Sequence, residues 1–114
     1  MRSFAGIVQK GARRGHALGY PTINIPMNDT EISGVYIARV YLAGEAPYMA
    51  AAFADPERGT LEAHIIDFSD DLYGENVRIG LRHKIRETKK FDSDEQLRNA
   101  IAEDVAAVRK FFSL

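Results

Sequence analysis

The sequence predicts an all-β fold, a small antiparallel barrel, covered by one C-terminal helix. Three observations carry this. Six short runs rich in Val, Ile and aromatic residues are separated by turns bearing Gly, Pro or Asp. The stretch from 92 to 114 changes to helical periodicity. The chain has 114 residues, enough for one core and too few for two, so residues 1–91 and 92–114 read as barrel and helix of a single domain. Closing the sheet also removes the exposed edges that a protein of this size would otherwise have to protect.

The predicted strands are Phe4–Gln9, Thr22–Ile25, Val35–Leu42, Tyr48–Phe53, Leu61–Phe68 and Asn76–Arg82. In the third, Val35, Ile37, Arg39 and Tyr41 fall on one face and Tyr36, Ala38, Val40 and Leu42 on the other. Ala43–Pro47, Asp55–Gly59 and Ser69–Gly74 carry the residues of turns. The helix has Asp92 or Ser93 as candidate N-cap, with Gln96 placed for a capping box. Leu97, Ile101, Val105, Val108 and Phe112 recur at spacings of three and four and share a face. Asp94 and Glu95 complement the positive end of its dipole, Arg109 and Lys110 the negative end. A packing helix is the expectation, not a partner-binding one.

Composition removes several classes. With 15 Lys+Arg against 16 Asp+Glu the formal net charge is -1, so no strong field is available to attract nucleic acid or an anionic membrane. There is no Cys, which excludes disulfides, thiolate metal sites and Cys nucleophiles and fits a reducing cytoplasm. No apolar run reaches the roughly 20 residues of a spanning helix, and no signal-peptide core is present. A cytoplasmic monomer without nucleic acid or membrane as partner is the expectation.

Three segments could carry chemistry. Gly6–Asn24 holds four of the nine glycines together with Lys10, Arg13 and Arg14. Glycine amides without a Cβ can approach phosphate oxygens closely. Neither the Walker A pattern nor a strand–GxGxxG–helix arrangement is present, and a glycine-rich hairpin tip with solvated cations reads as well from spacing alone. In Pro21-Thr22-Ile23-Asn24, an extended backbone puts Thr22 and Asn24 on one side. Their hydroxyl and amide oxygens are hard, neutral donors suited to Mg²⁺ arriving with a nucleotide, or equally to local hydrogen bonding at a strand end. In Leu61–Phe68, Glu62, His64 and Ile66 share a face. Glu62 could serve as a general base or belong to a solvated edge, and His64 reads as a hydrogen-bonding residue. His16, His64 and His83 show no metal-ligand spacing. Ile85–Phe91 could be a flap carrying Arg86 or a solvated charge run, and Tyr73-Gly74 could bring an aromatic ring beside a purine or flavin.

Together these segments resemble the riboflavin kinase (flavokinase) family, as found in the kinase domain of bifunctional FAD synthetases. The family pattern G-x-V-x-x-G-x-x-x-G-R-x-L-G-F-P-T-A-N is met here by Gly6, Val8, Gly11, Gly15, Leu18, Gly19, Tyr20, Pro21, Thr22 and Asn24. Gly34-Val35-Tyr36, Glu62–Phe68, Asp71–Gly74, Ile85-Arg86 and Lys90-Phe91 follow in family order. The resemblance spans nearly the whole chain. It implies a six-stranded closed Greek-key barrel and Mg²⁺- and ATP-dependent phosphorylation of the ribityl 5′-hydroxyl of riboflavin, giving FMN and ADP. By carry-over, Glu62 would be the base and Thr22 and Asn24 the metal ligands. Gly11, Gly15, Gly19, Pro21 and Tyr73 would bind ATP, and Arg86 the flavin.

The sequence also departs from the family. His16 and Ile23 stand where an Arg and an Ala are usual, and Ala52–Glu57 replaces Asn-Ile-Gly-x-x-Pro-Thr. A flavin- or nucleotide-binding module with impaired catalysis is the alternative those departures suggest. No FMN adenylyltransferase segment accompanies the kinase-like sequence, so this chain by itself would stop at FMN.

Overall fold

The computed structural model describes residues 2–10 and 17–113. Six strands form one antiparallel sheet: β1 (Arg2–Ile7), β2 (Ile23–Pro26), β3 (Gly34–Tyr41), β4 (Tyr48–Asp55), β5 (Thr60–Ile65) and β6 (Asn76–Arg86), followed by helix α1 (Asp94–Phe112). Their order across the sheet is β1-β6-β3-β4-β5-β2. The barrel is nearly closed rather than fully closed. Its two terminal strands meet through an isolated antiparallel bridge between Gln9 and Asn24, where the Gln9 amide donates to the Asn24 carbonyl at 2.8 Å.

Alternation sorts the strands into two faces. Inward residues such as Ala38, Val40, Ala50, Ala52, Leu61, Ala63, Val77 and Ile79 fill the barrel interior. A second, smaller core lies outside the barrel, where Val108 of α1 covers Ile37, Ala51 and Ile66. Strand β3 is therefore apolar on both faces, as its sequence suggests. The many alanines of β4 keep β4 slim enough to lie between these two cores.

Strand limits differ from the sequence expectation where the chain turns. Strand β5 stops at Ile65 because Asp67 adopts a left-handed backbone (φ 59°). Arg109 of α1 donates two hydrogen bonds to the Asp67 carboxylate, at 2.9 and 3.1 Å, holding that turn against the helix and its carboxyl below the usual range. Strand β6 runs on to Arg86 because its outer end still pairs with β3 as far as Val35. At the helix start the Ser93 hydroxyl accepts from the Gln96 amide, while Gln96 Oε1 accepts from the Asp92 amide, both at 3.1 Å. The reciprocal bond thus falls one residue earlier than in a standard capping box. No helix among the described residues is long and apolar enough to cross a membrane.

Candidate functional site

Strands β2 and β5 pair with Asn24 opposite Glu62 and Ile23 opposite Ala63. Directly opposed residues project to the same face, so Asn24 and Glu62 stand together outside the barrel while Ala63 points in. Thr22, two residues before Asn24, joins them: its hydroxyl donates to Glu62 Oε1 at 3.0 Å. That bond uses the single hydroxyl proton of Thr22 and leaves its lone pairs free to accept or to coordinate. Among the described residues Asn24 is one of two buried polar or charged side chains, the other being Asp104. His64 plays a supporting part, since its Nδ1–H donates to the Pro21 carbonyl at 2.8 Å and the Tyr20 ring meets it edge-on at 5.3 Å. The histidine fixes the approach to Thr22 and is not gathered with other metal-ligating groups.

A cavity of about 400 Å³ opens beside this cluster, at the seam between the terminal strands. Pro21, Thr22, Asn24, Lys10, Asp71 and Tyr73 are among the residues lining it. Tyr73 is 58% exposed, and the Lys10 ammonium lies 5.4 Å from its ring centroid. The turn bearing Tyr73 is pinned to the strand end: the Gly74 amide donates to Val8 O at 3.0 Å and the Val8 amide to Glu75 O at 2.9 Å. Gly74 needs its left-handed backbone (φ 84°) to make that turn. Gly19, also left-handed (φ 91°), stands with open space where a Cβ would be. Gly11 and Gly15 lie outside the described residues.

Arg86 is placed elsewhere. Its Nε and Nη2 donate to the two carboxylate oxygens of Asp104 at 3.0 and 2.8 Å, and Nη1 donates to the Glu87 carbonyl at 3.2 Å. The Phe91 ring centroid lies 5.7 Å from the guanidinium carbon. Registers nevertheless connect Arg86 to the cluster. Arg86 pairs with Val35, Val35 with Phe53, Phe53 with Glu62 and Glu62 with Asn24, forming one row across five strands. Three strand spacings, roughly 14 Å, separate Arg86 from Glu62. Sequence reasoning missed Asp104, and it noted Phe53 as part of the Ala52–Glu57 departure. The signal for Asp104 was available: an acid three residues after Ile101 and four before Val108 falls on the apolar helix face.

Among the described residues no group of three or more His, Cys, Asp or Glu could enclose a metal. The donors on offer are the Thr22 hydroxyl and the Asn24 amide oxygen. Such a neutral pair suits a hard cation that brings phosphate oxygens with it.

The model of the flavokinase family, described as riboflavin kinase, matches residues 2–112. The chain is 34% identical over 120 residues to the bifunctional riboflavin kinase/FMN adenylyltransferase of Escherichia coli, covering 98% of this chain and 38% of that protein. It superimposes on a riboflavin kinase structure from Trypanosoma brucei with a TM-score of 0.68 and 27% identity, covering 96% of this chain and 78% of that one. A Streptococcus pneumoniae structure titled as a macrolide-efflux protein matches with a TM-score of 0.80 and 32% identity over 94% of this chain and 38% of that one. The chain thus spans about two fifths of the curated relative it matches. With the family pattern matched almost end to end, and the barrel shared with a solved riboflavin kinase, the chain belongs to the riboflavin kinase family of enzymes.

Proposed function

We propose that this chain transfers the terminal phosphoryl group of ATP to the ribityl 5′-hydroxyl of riboflavin, yielding FMN and ADP. The observation that carries the reading is the Thr22–Glu62 hydrogen bond. Thr22 lines the cavity, and Glu62 stands in the outer row, so the two residues join a space for the donor to a surface for the acceptor.

Phosphoryl transfer asks a protein mainly for positioning and charge neutralisation. Glu62 accepts the proton of the attacking hydroxyl as the new oxygen–phosphorus bond forms and the bond to the ADP oxygen breaks. Thr22 fixes the carboxylate rotamer. Bound Mg²⁺ would neutralise phosphate charge, with Thr22 Oγ1 and Asn24 Oδ1 as its protein ligands. Lys10 adds positive charge at the cavity, and the exposed Tyr73 ring offers a stacking face for the nucleotide base. Gly11, Gly15 and Gly19 supply backbone amides for the phosphates, Pro21 shapes the turn into Thr22, and Arg86, held in place by Asp104, borders the flavin at the far end of the outer row.

The test is chromatographic detection of FMN after incubation with riboflavin, ATP and Mg²⁺, with an EDTA control. Metal-dependent FMN formation that is lost in Glu62→Gln, with nucleotide binding kept, is the expected result. No FMN from folded protein would overturn the reading in favour of the flavin- or nucleotide-binding module suggested by Ala52–Glu57.

A further inference from the structure

The row Asn24–Glu62–Phe53–Val35–Arg86 contains one aromatic residue, Phe53, between the carboxylate assigned as base and the arginine assigned to the flavin. Its neighbours in the row are Glu62 on β5 and Val35 on β3. Phe53 leans on the outer core of Ile37, Ala51, Ile66 and Val108 yet stays only partly buried. Ala51, two residues earlier on the same face, is fully covered. Phe53 is therefore a partly exposed aromatic side chain on the outer face, directly opposite Glu62 on the neighbouring strand. It also lies within the Ala52–Glu57 segment that separates this sequence from its family pattern.

We propose that Phe53 is a specificity-determining residue for the acceptor, contacting a flat fused-ring group while the hydroxyl on its side chain reaches Glu62. The inference rests on the phosphoryl-transfer reading of the site and adds to it the residue that holds the acceptor's ring. Ring and hydroxyl are then recognised by adjacent strands. Contact with one aromatic ring contributes on the order of tenfold in affinity. A polyol without the ring would gain nothing from Phe53 and should be a poor acceptor.

Two substitutions test this. Phe53→Leu, close in volume, should raise KM for riboflavin about tenfold while leaving KM for ATP and kcat nearly unchanged. The chain contains no Trp, so Phe53→Trp introduces a lone indole, which should quench the green emission of bound flavin through contact. That readout needs no turnover and covers the case in which the leucine variant fails to fold. Unchanged riboflavin KM in the folded leucine variant, or undiminished emission of flavin bound to the tryptophan variant, would overturn the proposal. If the unsubstituted protein makes FMN in either of those cases, the kinase reading stands and only the role of Phe53 falls. If it makes no FMN while the tryptophan variant quenches bound flavin, Phe53 keeps its role and the kinase reading falls.

Discussion

Asp104 and Arg86 face each other with two parallel hydrogen bonds, and the carboxylate side chain is only 2% exposed. This is the tie between the end of β6 and the middle of α1. Breaking one side of such a pair leaves a charge without its partner in a dry setting. Asp104→Asn is expected to lower unfolding stability by about 3 kcal/mol in urea titrations. Arg86→Lys should not behave as a conservative change, because a single ammonium cannot reproduce the two-pronged geometry.

Thr22 and Glu62 make a sharper pair of kinetic tests. Thr22→Ser keeps the hydroxyl that donates to Glu62 Oε1, whereas Thr22→Val removes it at nearly the same shape. FMN formation should survive the first and fall steeply in the second. Glu62→Gln should lower kcat by about 10²–10⁴-fold, the usual worth of a positioned base, with thermal stability little changed. Equal rates for the serine and valine variants would remove Thr22 from the scheme.

Gly34 illustrates a glycine required by both backbone and space. Its φ is 105°, and an added Cβ would stand 2.7 Å from the Arg86 carbonyl oxygen. Gly44 is also left-handed (φ 76°) but has nothing within 4 Å of that point. Gly34→Ala should therefore cost more than Gly44→Ala, with the latter at about 1–2 kcal/mol, when the two are compared by thermal unfolding.

Acid should loosen the contact between α1 and the turn after β5. The hydrogen bonds from Arg109 hold the Asp67 carboxyl below its ordinary value of 3.8. A carboxylate lowered on folding stabilises the native state above the unfolded pKa, and that contribution disappears as pH falls through the folded one. The window thus lies below pH 3.8. Asp67→Asn should show a smaller loss of stability on acidification through that window than the unsubstituted protein.

Much of this molecule is visible in local patterns. Ser93 and Gln96 announce the helix start, alternation in β3 and β5 sorts inside from outside, and alternation alone puts Thr22 and Asn24 on one side. What local patterns cannot give is register. That Glu62 lies opposite Asn24 depends on how β2, from early in the chain, slides against β5. The same holds for Phe53 beside Glu62 and Arg86 beside Val35, each a pairing between distant segments. The β5 ending failed for another reason: Asp67 takes a backbone conformation usually left to glycine or asparagine, compensated by Arg109 forty-two residues later.

The seam of the barrel has its own consequence. β1 and β2 meet through the Gln9–Asn24 bridge, and the cavity lies against both residues. An occupant touching Lys10 and Tyr73 on one side and Thr22 and Asn24 on the other would act as a clasp across the gap. Saturation at a hundredfold above Kd would then contribute about 2.7 kcal/mol to stability. Hydrogen exchange at the Gln9 amide should slow more than exchange in the central strands. The last stave of this barrel would then be fastened by its cargo, and emptying the site would loosen the fold in the same event.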